Sequence, residues 1–289
     1  MKQIHNSNYK PVALIVGVTG MAGLSLAEFL KSPTALNGPW KIYGLARRSK
    51  PTWFPSAAAV DDYIAFDAAK LTDTHEKLSL ISGEVTHVFW VAIQVREAEE
   101  DNIKINEAML DNVLSVLKSS PASQLSHITL QTGTKQYMAR ASPRSVYNTL
   151  LTLAVYATIC RHEGSRFRYP GSRYTGEHFC DMSYARVLAQ QHIWPAVTAQ
   201  CKNQAFNCTN GDVFTWKSLW KVLCDIFDLE FLPFDESTDE FDVVGIMKNK
   251  GKVWDEIVEK YGLHKTNFEE ITCFEALKSC VTFWISTCL

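Results

Sequence analysis

The order of elements predicts an α/β architecture: an open, doubly wound parallel sheet with a smaller mixed lobe behind it. Three observations carry that expectation. Short, continuously apolar, β-branched runs recur through the first half of the chain. Amphipathic stretches of helical length separate the later ones, and such alternation builds parallel strands with helices on both faces. The first run ends directly in a glycine-rich turn, where a strand would hand over to a helix.

Val12–Val16 is apolar throughout and closes on Gly17, as a strand buried on both faces requires. A helix is expected over Ala22–Lys31, stopped by Pro33. Further strands are expected at Lys41–Ala46, Tyr63–Phe66, Val85–Ala92 and Leu125–Gln131, with helices at Thr74–Ile81 and Asp101–Lys118. In the second helix Ile103, Asn106, Leu110, Val113, Leu114 and Leu117 are spaced to share one face, with Asn106 its only polar member. After Ser142 the character changes. Pro143–Cys160 reads as helix and Arg166–Gly171 as a short extended piece. Asp181–Trp194 reads as a helix capped by Asp181 or Ser183 and closed before Pro195. Ala205–Thr209 is a candidate strand, and helices follow at Thr215–Phe227 and Lys252–Tyr261. The stripe Trp216, Leu219, Trp220 and Leu223 reads as core, and the acidic stretch Asp235–Asp242 as a solvated loop.

At 289 residues, 46% hydrophobic and 21% charged, the chain is long enough to bury a substantial core. A formal net charge of -2 gives no electrostatic case for nucleic acid or an anionic membrane as partner. No basic segment followed by an apolar run opens the chain, and the apolar stretch Cys280–Leu289 is too short to span a bilayer. A cytoplasmic protein is therefore expected. The eight cysteines are scattered from Cys160 onward with no C-x-x-C pair, and Cys160 with His162 falls short of a zinc ligand set. Reduced thiols and no metal are expected.

The run Gly17-Val18-Thr19-Gly20-Met21-Ala22-Gly23 follows the first strand directly. Glycines so spaced permit a tight turn, let backbone N–H groups approach a pyrophosphate, and let helix and strand pack closely. The helix N-terminus behind them adds partial positive charge. This is a Rossmann-type dinucleotide site by context as well as by spacing. The second strand ends in Arg47-Arg48, where an acidic residue would suit NAD and an arginine suits the 2′-phosphate of NADP. Asp67, after the third strand, suits either a hydrogen bond to the adenine amino group or a turn.

Gly17–Gly23, Ala46-Arg47-Arg48 and Gln131-Thr132-Gly133-Thr134-Lys135-Gln136-Tyr137 together resemble the plant progesterone 5β-reductase and iridoid synthase family of atypical, extended short-chain dehydrogenases. Ser142-Pro143-Arg144-Ser145, Tyr169-Pro170-Gly171-Ser172, Asn207–Phe214 and Lys252-Val253-Trp254-Asp255-Glu256 extend the match, which runs from about Ala13 to Leu277. The resemblance implies NADPH-dependent 1,4-reduction of a small-molecule enone or enal, such as a steroid enone or 8-oxogeranial. It implies a cofactor lined by Gly17, Thr19, Gly20, Met21, Gly23, Arg47, Arg48, Asp67, Ala68, Ala92, Ile93, Gln131 and Ser145, with Lys135 as the catalytic lysine. Ile93 departs from the family's usual tryptophan. The corresponding domains are 10–141 for NADP binding and 142–289 for a mostly helical substrate lobe. A homodimer is left open.

One family element is missing. After the lysine the family continues with a loop, a helix bearing its catalytic tyrosine, and another strand. Here only seven residues separate Lys135 from Pro143, too few for a helix and a strand. The family's C-terminal segment also stops matching after Leu277. Tyr137 and Tyr147 are the candidate substitutes, while Tyr261 and Lys265, formally Tyr-x-x-x-Lys, lie after the cofactor half and read as a decoy. Three functions stay open: an enone reductase, an inactive NADP(H)-binding protein from a variant transcript or gene model, and a dinucleotide-sensing regulator.

Overall fold

The structure, a computed structural model, describes residues 11–55, 59–96, 98–133, 149–232 and 241–283. Strands β1 (Val12–Val16), β2 (Lys41–Ala46), β3 (Asp62–Ala65), β4 (His87–Trp90) and β5 (His127–Leu130) form one parallel sheet in the order β3-β2-β1-β4-β5. Helices α1 (Met21–Lys31), α2 (Leu71–Leu78) and α3 (Glu99–Ser119) lie between them in sequence. There follow α4 (Thr149–Glu163), α5 (Arg173–Glu177), β6 (Phe179–Cys180), α6 (Ala185–Ala196), β7 (Phe214–Thr215), α7 (Trp216–Phe227), α8 (Val243–Met247), α9 (Gly251–Tyr261), α10 (Phe268–Ile271) and α11 (Phe274–Phe283). None of the described helices is long and apolar enough to cross a membrane.

The chain divides into two compact units, Met1–Pro143 with Ser183–Asn210, and Arg144–Met182 with Gly211–Leu289. The stretch 183–210, which the sequence reading assigns to the second lobe, thus packs in the first unit. There the sheet is covered on both faces because its strands alternate apolar side chains. Val12, Leu14 and Val16 join a core with Leu78, Met109, Val113 and Leu117 from α2 and α3. Ala13 and Ile15 join another with Leu26, Ala27 and Leu30 from α1 and Ala189 and Ile193 from α6. Each fully buried leucine or isoleucine contributes roughly 1.5–3 kcal/mol relative to exposure.

The expected face of α3 is corrected. Met109, Val113, Val116 and Leu117 are buried, whereas Ile103 is 59% exposed and Leu114 only half-buried. The helix carries two adjoining apolar stripes, and periodicity cannot choose between them. Its asparagines set the rotation. Asn106 accepts from the Gln94 backbone N–H at 2.9 Å and donates to its carbonyl at 2.7 Å, and Asn102 accepts from the Arg96 N–H.

Around α6 two more expectations are corrected. Neither Asp181 nor Ser183 caps the helix, whose N-cap is Tyr184, and Pro195 lies inside the last turn. Ala205–Thr209 is not a strand. The physical reason is shared: this loop is satisfied by side chains rather than by a ladder. Ser183 Oγ donates to the Cys208 carbonyl at 2.7 Å, and Gln191 Nε2 to the Asn207 carbonyl at 3.0 Å. Asn210 Oδ1 accepts from the Tyr184 N–H at 2.9 Å.

The second unit is organised by aromatic side chains. Phe167 stacks on Trp220 with centroids 4.3 Å apart, and the stripe Trp216, Trp220 and Leu223 on α7 is buried as core. Arg166–Gly171 joins no sheet. It is held instead by Tyr156, whose hydroxyl donates to the Arg168 carbonyl and accepts from its N–H. The capping box of Thr215 and Ser218 starts α7. The described part of the helix expected at Pro143–Cys160 runs over Thr149–Glu163, and the expected acidic loop lies mostly outside the described residues.

Candidate cofactor site

The glycine loop leaves the C-terminal end of β1. Gly17 adopts φ +99, a region that disfavours a side chain, and its N–H donates to the Leu45 carbonyl at 2.9 Å. A Cβ at Gly17 would lie 3.0 Å from the Ala92 backbone, so the loops after β1 and β4 touch. At Gly23 a Cβ would come within 2.2 Å of the Gly17 carbonyl oxygen. Only glycine lets α1 start this close to β1. Gly20 is the N-cap and makes no side-chain cap bond, so the first-turn N–H groups of α1 are left for another acceptor. Gly20 and Met21 are exposed and Thr19 half-buried.

Arg47 and Arg48 are exposed directly after β2, and Tyr63 Oη donates to the Arg48 carbonyl at 2.9 Å. After β3, Asp67 Oδ1 accepts from the Ala69 N–H at 3.1 Å and from Gln94 Nε2 at 3.2 Å. The turn role of Asp67 is therefore real, and it occupies one oxygen. Ala68 is buried, and its carbonyl accepts from Asn112 Nδ2 at 3.0 Å. After β4, Ala92 is half-buried and Ile93 is 56% exposed. After β5, the Gln131 N–H donates to the Trp90 carbonyl at 2.9 Å, while its Oε1 is buried with no hydrogen-bond partner among the described residues. Lys135, Ser145, Tyr137 and Tyr147 lie outside the described residues.

Every described candidate thus follows the C-terminal end of one of five parallel strands. The sheet order reverses between β1 and β4, the place where open α/β sheets take their ligands. The residues fit a dinucleotide: glycines that a Cβ would block, an uncapped helix start, and an orphaned buried amide oxygen. Sequence reasoning missed Gln94, Asn102 and Tyr63, which hold the loops. The one available signal was Asn106, a polar residue on an otherwise apolar face. Tyr261 is 58% exposed at the last position of α9, with Gly262 left-handed behind it, so it shares no helix with Lys265.

No protein-family model matches the chain. Among curated proteins it is 39% identical to (S)-8-oxocitronellyl enol synthase CYC2 of Camptotheca acuminata, over 90% of this chain and 80% of that one. It is 37% identical to the 3-oxo-Delta(4,5)-steroid 5-beta-reductase of Arabidopsis thaliana, over 92% and 81%. The chain belongs to the family of these two enzymes. Its fold is shared with solved structures of low identity. UDP-glucose 4-epimerase of Thermus thermophilus, solved with NAD, matches at TM-score 0.52 and 12% identity, over 79% of this chain and 88% of that one. WbmG of Bordetella bronchiseptica, solved with NAD and UDP, matches at TM-score 0.54 and 12% identity, over 91% and 100%. The alignment with the Camptotheca enzyme spans 316 positions but 90% of the 289 residues of this chain, about 260, so about 56 of the aligned positions hold no residue of this chain.

Proposed function

We propose that the chain binds NADPH at this site and descends from enzymes that reduce enones or enals by 1,4-addition. The observation that carries the cofactor reading is the pairing of the glycine loop with Arg47 and Arg48, exposed at the end of the neighbouring strand. The N–H groups of the α1 first turn would hold the pyrophosphate. A guanidinium fork of Arg47 or Arg48 would pair with the 2′-phosphate. Asp67 would accept from the adenine amino group, Gln131 would meet the nicotinamide side through its unpaired oxygen, and Ser145 belongs to the same cofactor set by resemblance. When bound, the cofactor supplies the hydride taken up by the β-carbon of the conjugated system. The electron pair displaced there reaches the carbonyl oxygen, and the developing enolate calls for a donor aimed at it. Lys135 is the residue proposed beside that chemistry. The family's tyrosine has no counterpart in the seven-residue stretch between Lys135 and Pro143.

Turnover is accordingly impaired relative to cofactor binding, and that spacing favours a second reading, an NADP(H)-binding protein that does no chemistry. The first unit is assigned to the cofactor and the second to substrate recognition. A cytoplasmic location, where the seven described free cysteines stay reduced, and a homodimeric state belong to the same proposal. The test is NADPH consumption with progesterone, 8-oxogeranial and a small vinyl ketone, alongside a melt with and without NADPH. Enone-dependent oxidation abolished by Lys135→Ala supports the reductase. A folded chain that NADPH stabilises and that turns over none of them supports the binding protein. A folded chain indifferent to NADPH refutes both.

A further inference from the structure

The loop after β4 carries a side-chain relay that the glycine motif does not explain. Gln94 is only 8% exposed. Its Nε2 donates to Asp67 Oδ1 at 3.2 Å, and its Oε1 accepts from Arg96 Nη2 at 2.9 Å. The orientation of the amide is settled by chemistry: a carboxylate cannot donate and a guanidinium cannot accept, so only one rotation satisfies both neighbours. The backbone is fixed as well, since Asn106 binds both the N–H and the carbonyl of Gln94 from α3. Gln94 is thus held from three sides and presses on one atom of the adenine-side carboxylate.

That atom, Oδ1, already takes the Ala69 N–H. With two donors on Oδ1, the plane of the carboxylate is set, and Oδ2 takes no hydrogen bond among the described residues. We infer that Gln94 is a positioning residue for cofactor recognition: through Asp67 it aims Oδ2 at the exocyclic amino group of adenine and so makes the site choose adenine over a 6-oxopurine. The assignment rests on the proposed NADPH reading. The chemistry is directional. An ionised carboxylate oxygen accepts from the adenine amino group, whereas a 6-oxo group offers it a second acceptor and leaves both unpaired. Arg96 completes the relay by pinning the far end of the amide.

The experiment is a fluorescence or calorimetric titration with NADPH and with its 6-deamino analogue, which carries hypoxanthine, on the full chain. Loss of one charge-assisted hydrogen bond predicts that the parent protein prefers NADPH by roughly ten-fold or more. Gln94→Met keeps the length of the side chain and removes both polar ends. It should bring the preference down to about three-fold or less while NADPH still binds, an effect that a merely structural role would not exert on a ratio. Arg96→Met, at an exposed position, should lower the preference partway and serves if the Gln94 variant does not fold. An unchanged preference in the folded Gln94 variant, or in Arg96→Met where that variant alone folds, overturns the inference. Equal binding of both cofactors by the parent protein overturns the contact from Asp67. Binding of neither overturns the NADPH reading itself and this assignment with it.

Discussion

The first unit should be acid-labile, and two histidines say by how much. His87, at the start of β4, is 6% exposed, packs edge-on to Trp40 at 4.8 Å, and has Nδ1 2.7 Å from Thr86 Oγ1. Burial, and then the neighbouring His127 imidazole, push its pKa down from 6.5 to about 4. His192 on α6 is 7% exposed with Nδ1 2.9 Å from Thr129 Oγ1, and burial likewise pushes it down to about 4. Between these values the unfolded chain takes up protons that the folded chain refuses. Stability is therefore complete above pH 6.5 and lost as pH falls toward 4. From about pH 7.5 to about pH 5, each histidine should cost about 2 kcal/mol, so the pair costs about 4 kcal/mol. For a unit of this size that corresponds to a fall in melting temperature of roughly 8–16 °C. Circular dichroism melts of the parent chain and of His192→Gln at both pH values measure it. Glutamine stays neutral throughout, so the fall in the variant should be about half that of the parent. Equal falls in the two proteins would refute the assignment of the acid sensitivity to His192.

The glycine loop, the arginine pair, Asn106 and the core of the second unit each answer to a substitution. Gly23→Ala sets a methyl 2.2 Å from the Gly17 carbonyl oxygen; with rigid backbone on both sides it should cost more than about 3 kcal/mol and abolish NADPH-induced stabilisation, read by thermal shift. Arg47→Ala and Arg48→Ala, measured by cofactor titration, should between them raise the Kd for NADPH about ten-fold or more and leave that for NADH nearly unchanged. Asn106→Leu strips partners from both backbone groups of Gln94 and should cost roughly 2–4 kcal/mol in urea unfolding. Trp220→Ala removes a fully buried ring stacked on Phe167 and should destabilise the second unit by about 3–5 kcal/mol, seen as an earlier loss of near-ultraviolet signal.

What was legible in the chain was what local chemistry decides alone. β1 and β2 have the bounds that their apolar runs announce, because Gly17 and the arginine pair stop them sharply. The glycine loop was legible for the same reason: its spacing encodes a turn, a close approach and a helix start in seven consecutive residues. The rotation of α3 was not, because Ile103 and Met109 are equally good core candidates until Asn102 and Asn106 find the loop after β4. Nor was the absent strand at Ala205–Thr209, whose backbone is satisfied from Ser183 and Gln191. Gln94 was the least legible residue of the candidate site. The role proposed for it depends on the meeting of Asp67, Arg96 and Asn106 around its side chain and backbone, and no spacing along the chain records that meeting.

On the proposed reading, cofactor retention and chemistry make separate demands on this chain. Thr19, Arg47, Asp67, Ala92 and Gln131 stand on loops after the five paired strands, and the described residues alone give both faces of that sheet a packed core. A dinucleotide bound there stabilises the folded state by mass action, about 2.7 kcal/mol at a hundred-fold excess over Kd, whether or not a substrate is ever reduced. Stabilisation of the enolate oxygen makes a stricter demand, for a donor within hydrogen-bond reach of one developing charge. The segment to which the resemblance assigns this donor is the one for which seven residues leave no room. A thermal shift with NADPH and an absence of turnover are therefore compatible results from one folded protein. Turnover of an enone would place the donor among residues the family does not use for it, beginning with Tyr137 and Tyr147.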